Sequence, residues 1–140
     1  MLMSLPTKRG GYGFPRPLMN HRIDFSNGEK SLFGRAFVVL DLYWPQYKVA
    51  LEYDGEAFHS TDQRLSSDRR KEGELALRGI AVLRVDKMQM RNSNQVYVIA
   101  RKLAKLMGRQ LPRPTRRQWL NRQRLFTDLL RNGLLGTGME

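Results

Sequence analysis

Residues 37–54 read FVVLDLYWPQYKVALEYD, and this stretch decides the fold. Both halves are rich in β-branched and aromatic residues, which favour strands, and a short break separates them. The pattern predicts a β-hairpin. With Pro45 and Gln46 as the two central turn residues, Trp44 lies opposite Tyr47.

This hairpin brings acidic residues together. In the predicted register Asp41 lies opposite Ala50, and because side chains alternate along a strand, Ala50, Glu52 and Asp54 share the face that Asp41 occupies. Asp41 and Glu52 then form a diagonal pair roughly 7 to 8 Å apart. A register slip of one residue would separate them onto opposite faces, so the prediction depends on the assumed turn.

The segments that follow alternate between helix and strand. Residues 66–78 have a serine cap candidate, a charged first half and a stop at Gly79, which is typical of a helix. Residues 80–85 form a short apolar run that suits a buried strand reached by a crossover. Residues 94–107 are amphipathic and predict a helix that covers the sheet. We therefore expect an α/β fold with a mixed sheet flanked by helices.

The two ends differ from this core, which we place at residues 35–108. Residues 1–34 are expected to be a loop-rich N-terminal segment, whose first five residues resemble the end of a helix from a truncated domain. Residues 109–140 predict a linker and a basic C-terminal helix. In that helix we expect Trp119, Leu120, Leu125, Leu129 and Leu130 to face inward and Arg116, Arg117, Arg122 and Arg124 to face outward.

Charge is distributed unevenly along the 140 residues. The net charge of +12 arises at the ends, whereas residues 41–100 carry nine acids and nine bases. A basic chain commonly binds a polyanion such as nucleic acid, and an acidic centre needs cations to approach phosphate. The other interpretation is that the basic ends are ordinary solvated helix faces.

Composition excludes several classes of protein. The chain has no cysteine, which excludes disulfides, zinc ribbons, iron–sulfur clusters and cysteine nucleophiles. No apolar run approaches the ~20 residues of a transmembrane helix, and there is no signal-peptide pattern. We expect a soluble, cytoplasmic protein.

The acidic face of the hairpin has two interpretations. Carboxylates among apolar strand residues cost several kcal/mol if they are desolvated and unpaired, and oxygen ligands without cysteine favour Mg²⁺ or Mn²⁺. Alternatively, these acids are solvated and form ion pairs with Lys48, Arg84 or Arg69.

The order of motifs over residues 35–107 resembles the very-short-patch-repair-like endonucleases of the PD-(D/E)xK nuclease superfamily. The matching elements are Asp41 on the first hairpin strand, the ExDG run at residues 52–55, His59, the DRR run at residues 68–70 and the GIAVLRV run at residues 79–85. The resemblance implies a restriction-endonuclease-like fold. A weaker similarity links the glycine-rich loop at residues 10–13 to domains at the C-terminus of abortive-infection antitoxin-type proteins.

The resemblance also implies roles for single residues. Asp41 would bind the metal, and Glu52 would be the acid of the (D/E)xK element. Asp54 stands where the superfamily usually has lysine; it would be a further metal ligand, and the lysine's role must be filled elsewhere. His59 would assist the metal-bound water, unless it is an ordinary surface histidine. Asp68 would begin the following helix and orient His59 or, more simply, cap that helix.

Basic residues near the acids are candidates for phosphate contacts. These are Arg69, Arg70 and Arg84, while Arg116 and Arg117 of the C-terminal helix would follow the DNA backbone without reading its sequence. The acid that the family's first helix usually supplies has no clear match, and Glu29 is the nearest candidate.

The resemblance therefore implies an Mg²⁺- or Mn²⁺-dependent endodeoxyribonuclease, with RNA as a substrate that the sequence does not exclude. The alternative is a nuclease-fold module that has lost catalysis and binds nucleic acid or a toxin-type protein partner. The absence of the motif lysine and of a matched first-helix acid favours this alternative.

Overall fold

The structure, a computed structural model, describes residues 12–54 and 62–131, with side chains at all of these except 31–33 and 62–68. Four strands and five helices are formed in this part of the chain. In chain order they are β1 (Leu18–Asp24), α1 (Asn27–Phe33), β2 (Phe37–Trp44), β3 (Val49–Asp54), α2 (Asp62–Leu77), β4 (Ala81–Asp86), α3 (Lys87–Met90), α4 (Ser93–Leu106) and α5 (Arg116–Arg131).

The four strands form one mixed sheet in the order β1-β2-β3-β4. The first two neighbouring pairs are antiparallel, whereas β3 and β4 are parallel and are joined by α2. The predicted α/β architecture, hairpin and crossover are confirmed at this level. The described part of the chain contains no helix that is long and apolar enough to cross a membrane.

The hairpin turn differs from the predicted one. Four residues, Pro45–Lys48, connect the strands, and Tyr43 rather than Asp41 pairs with Ala50. Lys48 adopts a left-handed conformation with φ of 51°, which allows the longer turn. The register is therefore shifted by two residues from the prediction. An even shift by itself leaves every side chain on its predicted face. Alternation along β2 nevertheless breaks next to Asp41, because Leu40 and Leu42 pack on opposite faces of the sheet.

Two apolar clusters lie on opposite faces of the sheet. On one, here called the α4 face, Leu42, Trp44, Val49 and Leu51 pack with residues of α4 and with Phe126 of α5. On the other, the α2 face, Leu40, Tyr43 and Ala50 pack with Leu75 of α2. The strict alternation of Val49, Ala50 and Leu51 between the clusters assigns each β3 side chain to a face.

Helix α2 begins earlier than predicted and ends where predicted. It starts at Asp62 instead of Ser66, so Asp68 lies inside the helix and not at its beginning. The helix ends at Leu77, and Gly79 follows with φ of 77°, a conformation that costs glycine little. The N–H of Ile80 then donates to the carbonyl of Leu75, which turns the chain into β4.

Both ends contain structure that the pattern did not predict. Residues 12–17 have no regular structure, as expected, but the segment assigned to loop also contains β1 and α1. In α5, Leu120 and Leu130 are exposed rather than inward, and Arg122 is buried rather than outward. Its guanidinium lies 4.3 Å from the ring centre of Tyr12, a cation–π contact, while its Nε and Nη1 find no hydrogen-bond partner in the described part of the chain.

Candidate functional site

The predicted acidic residues lie on the α2 face. Glu52 follows Ala50, a member of the α2-face cluster, by two residues. Asp41 lies beside Glu52, since its charge and a side-chain hydrogen bond act on the pKa of Glu52. The ladder between β2 and β3 ends at the Leu42–Leu51 pair, and its next step places Asp41 directly opposite Glu52. The two carboxylates are therefore neighbours.

Asp41 departs from the regular ladder. Its Oδ2 accepts a hydrogen bond of 2.8 Å from the backbone N–H of Tyr53, so a side-chain oxygen takes the place of a strand carbonyl. On the other side of β2, Asn20 is the β1 residue between the paired Met19 and His21, and it has φ of 49°. This irregularity of β1 lies beside Asp41, and irregularities of this kind are common next to functional sites.

Helix α2 supplies a lysine to the same point. The Nζ of Lys71 donates a 3.1 Å hydrogen bond to Oε1 of Glu52, and both side chains are largely buried. The same ammonium lies 3.5 Å from the carbonyl oxygen of Val39. Asp41, Glu52 and Lys71, which we call the acid–lysine site, thus join two strands and a helix.

The electrostatics of Glu52 are unusual. Burial, together with the charge and hydrogen bond of Asp41, raises the pKa of Glu52 from 4.5 to about 7, although Lys71 acts in the opposite direction. Only 7% of Glu52 is exposed. The site therefore holds a carboxyl group that ionises near neutral pH and would gain from a further cation.

Sequence reasoning missed Lys71. Its position was visible in the pattern, since Lys71 and the inward-facing Leu75 are four residues apart and so share one face of a helix. A charged first half suggests a helix surface exposed to solvent. In the structure this half instead places the ammonium group of Lys71 against the sheet.

Two other residues that were predicted for the site, Arg84 and Asp54, lie on the strands next to Glu52. Arg84 pairs in register with Glu52 across the parallel ladder, and its Nε lies 2.7 Å from Oε1 of Glu72. Asp54 is half-buried and lies two residues beyond Glu52 on the same side of β3, about 7 Å along the strand. Asp54 pairs in register with Asp86, whose Oδ1 caps α3.

Other predicted site residues lie elsewhere or outside the description. Arg69 and Arg70 are exposed on α2 beside Lys71. Glu29 is engaged by Arg78 through contacts of 2.6 and 3.0 Å and by the cap of α1. Arg116 and Arg117 are exposed on α5, which packs on the α4 face. His59 lies outside the described residues, as does the side chain of Asp68.

A second buried carboxylate lies on the same helix. Glu74 is 2% exposed, and its Oε2 lies 3.7 Å from Nε of Arg35. Together with the Lys71–Glu52 and Arg78–Glu29 pairs, it makes the inner side of α2 a row of ion pairs on both sides of Leu75. Sequence reasoning assigned no role to Glu74.

The acid–lysine site offers two carboxylates to a ligand. Within residues 12–54 and 62–131, no three acidic, histidine or cysteine side chains are grouped so that they could hold a metal ion. Mg²⁺ is commonly bound through one or two carboxylates and retains several waters. The two acids, one of them buried against a like charge, therefore fit a hard cation.

Comparisons with protein-family models, with curated proteins and with solved structures gave no match to this chain.

Proposed function

We propose that this protein is a metal-dependent endodeoxyribonuclease of the PD-(D/E)xK type, with a restriction-endonuclease-like core. The observation that carries the proposal is the meeting of Asp41, Glu52 and Lys71 at one point of the α2 face. These are the three residue types that the (D/E)xK pattern requires. Lys71 comes from α2 and so fills the role of the lysine that Asp54 replaces in the strand.

Asp41 and Glu52 would hold Mg²⁺ or Mn²⁺. When bound, the ion would lower the pKa of a water molecule and offset the charge that builds on the phosphoryl oxygens. Asp41 is suited to this because the Tyr53 N–H fixes one of its oxygens and the carboxylate lies beside Glu52. Glu52 is suited because its pKa near 7 lets it release its proton under physiological conditions.

Basic side chains in and near the acid–lysine site would contact the substrate or hold the site in place. Lys71, held 3.1 Å from Glu52, is placed to donate a hydrogen bond to the attacked phosphate or to orient the attacking water. Arg69 and Arg70 are exposed on the same helix and would contact neighbouring phosphates. Arg84 would hold Glu72 and thereby keep α2 in position over β4. The proposed base, His59, follows β3 in the sequence.

A second candidate is a nuclease-fold module that binds nucleic acid, or a toxin-type partner, without cleaving it. The observation in its favour is the Lys71–Glu52 ion pair, which already partly neutralises the buried acid without a metal. In this function the protein would bind DNA equally well with Mn²⁺ and with EDTA, and no cleavage would follow.

Plasmid cleavage tests the proposal. Supercoiled DNA incubated with the protein and Mg²⁺ or Mn²⁺ should be nicked or linearised, and EDTA should prevent this. Asp41→Asn should reduce the rate by about 100-fold or more, since one carboxylate ligand is lost while the amide oxygen can still accept from Tyr53. Asp128→Asn, an exposed residue on α5, is the matched control and should cleave normally. Cleavage that survives in Asp41→Asn or in EDTA contradicts the proposal.

A further inference from the structure

The longest acid-free stretch of the chain lies on the side of the sheet opposite to the acid–lysine site. Residues 87–127 contain eleven lysines and arginines and no aspartate or glutamate. They form α3, α4, the linker and most of α5, and α4 and α5 pack on the α4 face. A large positive charge is thus concentrated where no local carboxylate can neutralise it.

Part of this charge lines an open groove of about 640 Å³. This groove, here called the α4 groove, lies along the outer side of α4 and the segment that follows it. Its cationic residues are Arg101, Lys102, Lys105 and Arg109. Gln110 adds a carboxamide, and Val98 and Leu111 add apolar surface. In the described part of the chain, no carboxylate lines this groove and none forms an ion pair with its four cations.

The spacing of the cations suits an extended polyanion. Arg101 and Lys105 are four residues apart on α4, which is about 6 Å along the helix and keeps them near one side of it. Arg109 follows after α4 ends at Leu106 and lines the same groove. Arg101 and Arg109 lean on the rings of Tyr97 and Phe14, at 6.0 and 5.8 Å, and these contacts limit their rotamer freedom. The groove therefore holds a set of partly ordered cations, and three further exposed arginines follow it in the sequence: Arg113, Arg116 and Arg117.

We propose that the α4 groove is a second binding surface for the phosphodiester backbone of a nucleic acid, separate from the acid–lysine site. A nucleic acid is favoured over an acidic protein because the row of cations runs on from α4 into the linker and α5. Regularly spaced phosphates neutralise such a row along its whole length. Since α2 and α4 pack on opposite faces of the sheet, this binding does not require Asp41 or Glu52.

The test measures binding of a short mixed-sequence DNA duplex by fluorescence anisotropy, in EDTA so that cleavage cannot interfere. Lys102→Glu/Lys105→Glu should weaken binding about tenfold or more and lower the salt slope by about 2, one for each lost phosphate contact. Arg16→Glu/Lys30→Glu, which changes the net charge equally at two exposed residues outside the groove, should retain most of the affinity. Asp41→Asn should bind as the wild type does.

Several results would overturn this inference. They are equal loss in both double variants, which indicates net charge alone; a clear gain of affinity in Asp41→Asn, which places binding at the acid–lysine site because a carboxylate there repels phosphate; or poly-glutamate binding as tight as DNA, which indicates an acidic protein partner. Thermal melting of each variant confirms folding, and Lys102→Gln/Lys105→Gln gives a milder test with the same expected direction. Because no step involves cleavage, this result is independent of whether the plasmid is cut.

Discussion

The two faces of the sheet are built from different chemistry. On the α4 face, a continuous cluster of apolar residues joins β2, β3, α4 and α5. On the α2 face, a smaller cluster is bordered by buried or half-buried charges: Glu52, Lys71, Glu74 and Arg35. Burying ion pairs is often neutral or unfavourable compared with apolar packing. The α4 face therefore contributes more to stability, whereas the α2 face gives up some stability to bury charged groups.

The largest expected effect is on stability, at the α4 face. Leu103 is fully buried in α4, and Leu103→Ala should lower the free energy of unfolding by about 2 to 5 kcal/mol because it leaves a cavity. Leu106→Ala, at a 43% exposed leucine of the same helix, is the control and should change it by less than about 0.5 kcal/mol. Denaturant unfolding measures both. A cost for Leu103→Ala as small as that of the control would mean that this face does not carry the stability.

The next effect is on activity, at the α2 face. Lys71→Met should reduce plasmid cleavage by about 10²- to 10³-fold, the usual cost of removing one group that stabilises the transition state. Its folding should survive, since methionine fills a similar volume. Lys30→Met removes an exposed lysine from α1 and should leave cleavage unchanged. Full activity in Lys71→Met would remove the lysine from the proposed site.

Some features of the two faces can be predicted from the sequence, whereas the exact strand register and strand β1 cannot. Alternation along β3 places Glu52 on the face of Ala50, and the error in the turn, a shift of two residues, still left Asp41 next to Glu52. Alternation along β2 fails at Asp41, because Leu40 and Leu42 face opposite sides of the sheet. The exact register could not be predicted, since the left-handed residue of the turn is Lys48 and not glycine or asparagine. Strand β1 was missed because LMNHRID has neither a clear period nor many β-branched residues.

Charged residues in the interior were the hardest to predict. Arg122 was expected on the outer side of its helix and Lys71 was given no role, because lysine and arginine are almost never buried without partners. Their partners come from distant parts of the chain: Glu52 for Lys71, and the ring of Tyr12 for Arg122. Contacts between residues so far apart in the chain produce no recognisable pattern in the local sequence.

A smaller effect concerns pH and stability. Folding raises the pKa of Glu52 to about 7, so its protonated form stabilises the folded state; this contribution is complete below pH 4.5 and is lost as the pH rises through 7. Glu52→Gln removes the cost of ionisation. Its melting temperature minus that of the wild type should therefore increase between pH 5 and pH 8.

The control for this pH effect is Glu29→Gln. The hydrogen bonds of Ser26 and Arg78 lower the pKa of Glu29, so this residue stays ionised over the same range. The difference in melting temperature for Glu29→Gln should thus stay constant from pH 5 to pH 8. A constant difference for Glu52→Gln as well would show that folding does not shift the ionisation of Glu52 within this range, contrary to a pKa near 7.

Calorimetric titration of Mn²⁺ into the metal-free protein at neutral pH tests the acid–lysine site most directly. We predict saturable binding at one site, release of protons as Glu52 ionises, and loss of the binding in both Asp41→Asn and Glu52→Gln but not in Asp128→Asn. The absence of binding, or binding that is unchanged in both site variants, would contradict the account that this pair of carboxylates holds a hard cation.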